Sequence, residues 1–233
     1  LLRPLWGKAW VGLQFLLGRK GPLSMSLNQA GGFVRLDQGE GPPDLQLYFN
    51  PMSYRTAPVG TRPLMSPDPF TAYRIGFNPC KPESRGFLEI LSPDPTIPPH
   101  LQGNYLTTEK DRQMMIAGTN FVRKITSMPS LAAMTDCEIF PGKDHQSDND
   151  ILAAVRAASW TVFHQCSTCR MGSDAATSVV DHRLKVHGLM NLRIADASIF
   201  PTIPSGNTNA PAIMVGEMAA KFIKEDIEKA RAK

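Results

Sequence analysis

Apolar residues recur at helical spacing in four stretches of the chain, and short apolar or alternating runs lie between them. Residues 1–18 predict an amphipathic helix, ended by the turn formers of GRKGP. From Thr108 to about Ile125 the pattern is helical again, with Met115, Ala117, Phe121, Val122 and Ile125 as its expected buried residues. A third helix is expected from about Asp150 to Ser159, after the polar loop PGKDHQSDND. The last helix opens out of SGNTNAP and runs on through KFIKEDIEKARAK. Pro211 is tolerated near its start because first-turn N–H groups have no intrahelical partner. In the Pro- and Gly-rich middle, GGFVRL, DLQLYFN, YRIGFNP and GFLEILS read as strands, and their shortness and flanking turn formers predict antiparallel pairing. SPDPTIPPH has too many prolines for a helix or an inner strand and is expected to be a loop. NLRIADASIFP is an apolar strand running into Asp196. Strand, Gly/Asn loop and helix then follow in the order that places a ligand at a helix N-terminus.

Composition narrows the function classes. The chain has 233 residues, 42% hydrophobic and 20% charged, ordinary for a soluble globular protein of one large or two small domains. Its formal charge of +4 is spread out, with no Lys/Arg run that would track nucleic acid, so no nucleic-acid partner is expected. The cysteines Cys80, Cys137, Cys166 and Cys169 are too few for a disulfide framework, which makes a reducing, cytoplasmic compartment the simpler expectation. The opening segment is apolar, but Arg3, Lys8 and several glycines interrupt it short of a membrane span, and it lacks a signal-peptide cleavage site. The first residue is Leu rather than Met, which points to sequence upstream.

FHQCSTCRMG, residues 163–172, gathers a histidine, two cysteines and an arginine. Cys166 and Cys169 have the spacing of zinc ligands or of a redox dithiol. A structural zinc site needs four ligands, and His164 with two cysteines leaves one short, so no metal is assigned. Two small thiols in a tight turn is the plainer reading. His100 and His145 fall in polar loops, and His182 and His187 in what reads as a surface hairpin. SGNTNAP is either a simple helix entry or a cradle in which backbone N–H groups and the helix dipole face an electron-rich ligand. No G-x-G-x-x-G occurs; the nearest approach, GEGPPD, ends in Asp and follows no apolar strand, so this chain cannot grip a dinucleotide pyrophosphate in the usual way.

Taken together, HQCSTCRMG, VVDHRLKVHGLMNLRIADASIFP and SGNTNAPAIMVGEMAAKFI resemble the C-terminal signature of the glucose-methanol-choline (GMC) family of flavin oxidoreductases, on its choline-dehydrogenase-like side. GPLSMSLNQAGGFVR, PDLQLYF and CKPESRGFLEILSPDPTIPPHLQGNYL agree with it. The resemblance implies an α+β fold joined to an α/β one. Residues 1–155 would be the later part of an antiparallel-sheet substrate domain backed by helices. Residues 156–233 would be the strand-loop-helix return into a Rossmann-like FAD domain, with Leu192 to Ala195 as one of its strands. The N-terminal half carrying the FAD fingerprint would be a separate, missing part of the same protein.

The family oxidises alcohols by passing a hydride to flavin N5. Its catalytic histidine falls on His164, and the His or Asn that follows some forty positions later falls on Asn207. An alcohol is a poor hydride donor until its O–H proton leaves, so a base with a pKa near neutrality must stand beside it. Asn207 can donate an N–H to the developing alkoxide without competing for the proton. The resemblance further places Asp196 and Ala197 near the ribityl and pyrophosphate portion of FAD, Thr208 and Asn209 against the flavin ring, and Phe163 on the wall of the substrate pocket. Gln165 and Ser167 depart from the Pro and Gly frequent in relatives. The implied partners are a small primary alcohol and an electron acceptor, oxygen or a quinone. Location is left between cytoplasmic and membrane-associated. An inactive remnant without FAD, or an FAD-containing cyanohydrin lyase, are the rival readings.

Overall fold

The computed structural model describes residues 4–36, 39–55 and 66–232. These fall into two compact units, residues 1–78 and 79–233.

In the first unit, α1 (Leu5–Gly18) ends where Arg19 turns left-handed at φ 50° and donates its N–H to Phe15 O over 2.9 Å. The expected helix is therefore present, with its first three residues outside the described ones. The strands β1 (Ala30–Val34) and β2 (Leu45–Asn50) pair antiparallel in the register Ala30 to Phe49 and Val34 to Leu45. Gly31 is required there, because a Cβ would fall 2.5 Å from Leu47 O. Strand β5 (Arg74–Pro79) lies on the other side of β2. Two shorter strands, β3 (Tyr54–Arg55) and β4 (Ser66–Pro67), pair with each other. Arg74 fixes its neighbourhood by stacking 4.4 Å above the Tyr54 ring and donating to Tyr54 O.

The second unit is a pair of short strands with helices. β6 (Phe87–Glu89) and β7 (His100–Gln102) are antiparallel, so GFLEILS yields a three-residue strand, and Ile90 and Leu91 stay exposed. His100, expected in a loop, opens β7 instead, its ring edge-on to Phe87. The proline run ends one residue earlier, which frees His100 to pair with Glu89. α2 (Glu109–Thr126) and α4 (Asp148–Ala158) begin at Thr108 and Ser147, whose side chains accept the N–H groups of Asp111 and Asp150. A four-residue helix, α3 (Pro129–Ala132), was not foreseen. Of the residues expected to be buried on α2, Met115, Phe121, Val122 and Ile125 are half-buried and Ala117 is exposed, while Asp111, Ile116, Gly118 and Thr119 are the fully buried ones. Polar residues enter that face because each has a partner, as when Thr119 Oγ1 donates to Met115 O. Ile116 meets Ile151 and Val155 of α4 in one core cluster.

The other core cluster joins Val180, Leu184 and Ile199 to Val215 and Ala219 of α5 (Asn209–Arg231). Leu192 to Ala195 do not form the expected strand. A strand exists only through its pairing, and Arg193 meets Lys185 in a lone antiparallel bridge. The protein is thus a mixed α+β chain with small antiparallel sheets. Among the described residues no helix is long and apolar enough to cross a membrane.

Candidate active site

Two loops carry the candidate residues. The first leaves α4 at Ser159 and contains Phe163 and His164. Phe163 is exposed with a left-handed φ of 58°, Ser167 is left-handed at 75°, and His164 is half-buried. Further on the loop is stitched down: Cys169 N donates to Ser198 O at 3.0 Å and Met171 N to Ile199 O at 2.7 Å. Arg170 Nε donates to Thr177 O at 2.6 Å and closes the adjoining turn. Cys166 and Cys169 are half-buried free thiols, as is compatible with the plain reading of them as turn residues. Among the described residues no three His, Cys, Asp or Glu side chains converge as metal ligands.

The second loop runs from Asp196 to Asn209. The exposed Asp196 caps a single 3-10 turn over Ala197–Ile199 by accepting Ser198 N–H at 2.8 Å. Ile199, 2% exposed, then plugs into the core beside Val215 and Ala219. Lys81 Nζ donates to Ile203 O at 3.0 Å and holds the middle of the loop. Asn207 and Asn209 are exposed and Thr208 is half-buried. Thr208 stands at the N-cap of α5 without a side-chain capping bond, and the first turn contains no acidic residue. The loop therefore meets the positive end of a 23-residue helix.

The frame shared by the two loops is therefore explicit. The His164 loop is hydrogen-bonded to the Ala197–Ile199 turn, that turn packs on α5, and α5 starts at Thr208 and Asn209. The two loops that carry the candidate residues are thus both anchored to one core cluster, through Met171 and Ile199, although the candidates span some forty-five positions of sequence.

A charge cluster locks the far end of α5. Asp226 binds Lys185 at 2.7 Å, Arg193 at 2.5 Å and Arg183 at 2.9 Å, and Arg183 also reaches Glu225 and the Phe222 carbonyl. The hydrogen bond from Lys185, helped by Arg193 and Arg183, holds the Asp226 carboxyl well below the usual carboxylate range against the opposing effect of burial. His187, read as a surface residue, is half-buried and bonded through Nε2 to Gly172 O and Ser178 Oγ, which ties its hairpin to the end of the His164 loop.

Contacts that the sequence did not disclose surround His164. Gln165 Nε2 donates to the hydroxyl of Tyr105, sixty positions earlier, and to Thr161 Oγ1. Behind Tyr105 stands Asp111, 3% exposed, whose carboxylate accepts the N–H groups of Glu83 and Ser84 and the Ser84 hydroxyl. The Thr-x-x-Asp pattern at Thr108–Asp111 signals a capping box, but nothing in it points to Ser84.

Residues 82–216 match the family model described as GMC oxidoreductase. The alcohol dehydrogenase [acceptor] of Pseudomonas putida is 38% identical over 94% of this chain and 39% of its own length. The mitochondrial choline dehydrogenase of Homo sapiens is 37% identical over 93% of this chain and 36% of its own. Among solved structures, pyridoxine 4-oxidase from Mesorbium loti superposes with a TM-score of 0.70 at 27% identity, covering 82% of this chain and 36% of that one. A formate oxidase aligns with a TM-score of 0.84 at 25% identity over 98% of this chain and 43% of its own. The chain thus spans well under half the length of these relatives. The matched residues include both loops and the start of α5, and on that match the chain belongs to the GMC oxidoreductase family, within its C-terminal domain.

Proposed function

We propose that this chain is the C-terminal part of an FAD-dependent enzyme that oxidises a primary alcohol to an aldehyde. Residues 1–155 would contribute to the substrate domain and residues 156–233 to the FAD domain, and the remaining part of the protein would grip the FAD pyrophosphate. The observation that carries this reading is the shared frame: the His164 loop bonded to the Ala197–Ile199 turn, which rests on the helix that begins at Thr208. The residues fit the cofactor, because an α5 first turn with no acid and no side-chain cap suits the electron-rich edge of a flavin ring.

Bound FAD would supply the two-electron acceptor for the hydride leaving the carbinol carbon. His164 takes the alcohol O–H proton, for which an imidazole has the suitable basicity. Asn207 donates its amide N–H to the oxygen as negative charge grows there. Phe163, whose exposed ring adjoins the base, walls the alcohol and excludes water. Asp196 and Ala197 would help to hold the ribityl and pyrophosphate portion of FAD, and Thr208 and Asn209 would help to hold its ring. Relatives named as an oxygen-dependent choline dehydrogenase and as an alcohol dehydrogenase [acceptor] support oxygen or another acceptor as the final electron acceptor, and a quinone is the second candidate on the family resemblance alone.

Anaerobic mixing of the complete flavoprotein with choline and straight-chain primary alcohols tests this. Bleaching of the flavin absorbance with release of aldehyde is expected. A protein that keeps its flavin unbleached and cleaves a cyanohydrin would be a lyase instead. One that retains no flavin would be a remnant.

A further inference from the structure

The backbone around His164 needs holding. Phe163 and Ser167 are both left-handed, a conformation that non-glycine residues adopt only at a cost. Thr161 Oγ1 accepts the N–H of Phe163 at 3.0 Å and one amide N–H of Gln165 at 2.7 Å, so the residues on both sides of His164 are tied to one hydroxyl. Gln165 Nε2 also donates to Tyr105 OH at 2.8 Å. Both N–H groups of the Gln165 amide are thereby engaged.

Tyr105 is itself anchored, although its ring is 62% exposed. A Cβ on Gly103 would approach the ring to 2.6 Å, so glycine there lets the ring lie flat against the chain. Asn104 Nδ2 donates to Arg85 O, Thr107 Oγ1 donates to Asn104 O, and Arg112 donates to the carbonyls of Leu106 and Thr107. Ser84 Oγ accepts Thr107 N–H, and Ser84 is gripped by the buried Asp111. A continuous set of bonds thus leads from α2 to the loop of His164.

We propose that Tyr105 is a positioning residue for His164, acting through Gln165 and Thr161 to hold the loop in its left-handed course. This rests on the reading of His164 as the base, but the tether has its own observable. Amide hydrogen exchange of Phe163–Ser167 is measured in Tyr105→Phe, Gln165→Ala and the double variant. Tyr105→Phe keeps the ring and deletes one hydroxyl, and exchange is expected to rise about fivefold, the weight of one net hydrogen bond. In the Gln165→Ala background, Tyr105→Phe is expected to add nothing, because its partner is already gone. In the complete flavoprotein, Tyr105→Phe should lower kcat about fivefold with KM and flavin content unchanged, a split that general destabilisation would not produce. Unchanged exchange in Tyr105→Phe, or an equal effect with and without Gln165, would overturn the proposal. So would an unchanged kcat. Wild-type alcohol oxidation by His164→Ala would instead remove the base reading, and the exchange data would still decide the tether.

Discussion

Removing the Asp111 carboxylate should destabilise the second unit more than any other polar substitution in α2. In Asp111→Ala the N–H groups of Glu83 and Ser84, now 2.8 Å from carboxylate oxygens, and the Ser84 hydroxyl lose their acceptor. A hydrogen bond to a charged group is worth about 1.5–3 kcal/mol, and each buried donor left unpaired costs about 1–3 kcal/mol. The three bonds share one carboxylate and water reaches the Glu83 side, so the sum is held to about 3 kcal/mol, a large fraction of the roughly 5–15 kcal/mol that stabilises a domain. Asp111→Asn keeps one carbonyl oxygen and should cost about half as much. Burial raises the Asp111 pKa, but the hydrogen bonds from Ser84, Glu83 and Thr108 outweigh it and hold the carboxyl below its ordinary value. Its folded pKa is depressed, so its contribution is complete above the unfolded pKa near 4 and is lost as pH falls through the folded value. Urea unfolding followed by circular dichroism, at neutral pH and in steps below pH 4, measures both effects. An Asp111→Ala midpoint within about 0.5 kcal/mol of wild type, or a wild-type stability that does not fall in acid relative to the variant, would refute the reasoning.

Two further substitutions probe the frame and the site. A Cβ at Gly86 would collide with Gln102 O and lie 2.9 Å from Gly103 O, both backbone atoms, so Gly86→Ala should destabilise by about 1–3 kcal/mol in the same urea assay and weaken the β6–β7 pairing that leads to Tyr105. Asn207→Asp replaces an N–H donor with a carboxylate beside the α5 N-terminus; alcohol oxidation in the complete flavoprotein should fall about 10²-fold with the fold intact by circular dichroism.

Helices were legible because their signals are local. Thr108 and Ser147 cap, apolar residues repeat at helical spacing, and the left-handed Arg19 stops α1, all within a few residues of sequence. The existence of β1, β2 and β5 and the antiparallel class of the β1–β2 pair were legible from short runs between turn formers, while the order of strands in the sheet was not. Leu192 to Ala195 failed because an apolar run states a preference for strand but not the partner that makes one, and Arg193 finds a single bridge to Lys185. On α2 the burial of Asp111 and Thr119 was not legible because both are polar, and only their bonds to Ser84 and Met115 explain it. In the site, His164 and Asn207 stood out through the family resemblance. Tyr105 did not, because its bond to Gln165 joins residues sixty positions apart and neither residue type signals the other.

The central claim is that His164 removes the alcohol proton. The direct measurement is the rate of flavin reduction by a primary alcohol in the complete flavoprotein, wild type against His164→Ala, under anaerobic conditions across pH. A general base contributes about 10²–10⁴-fold, so the variant should be slower by that factor, and the pH dependence that the base confers on the wild-type rate should vanish. A His164→Ala rate close to wild type, with the same pH dependence, would contradict it.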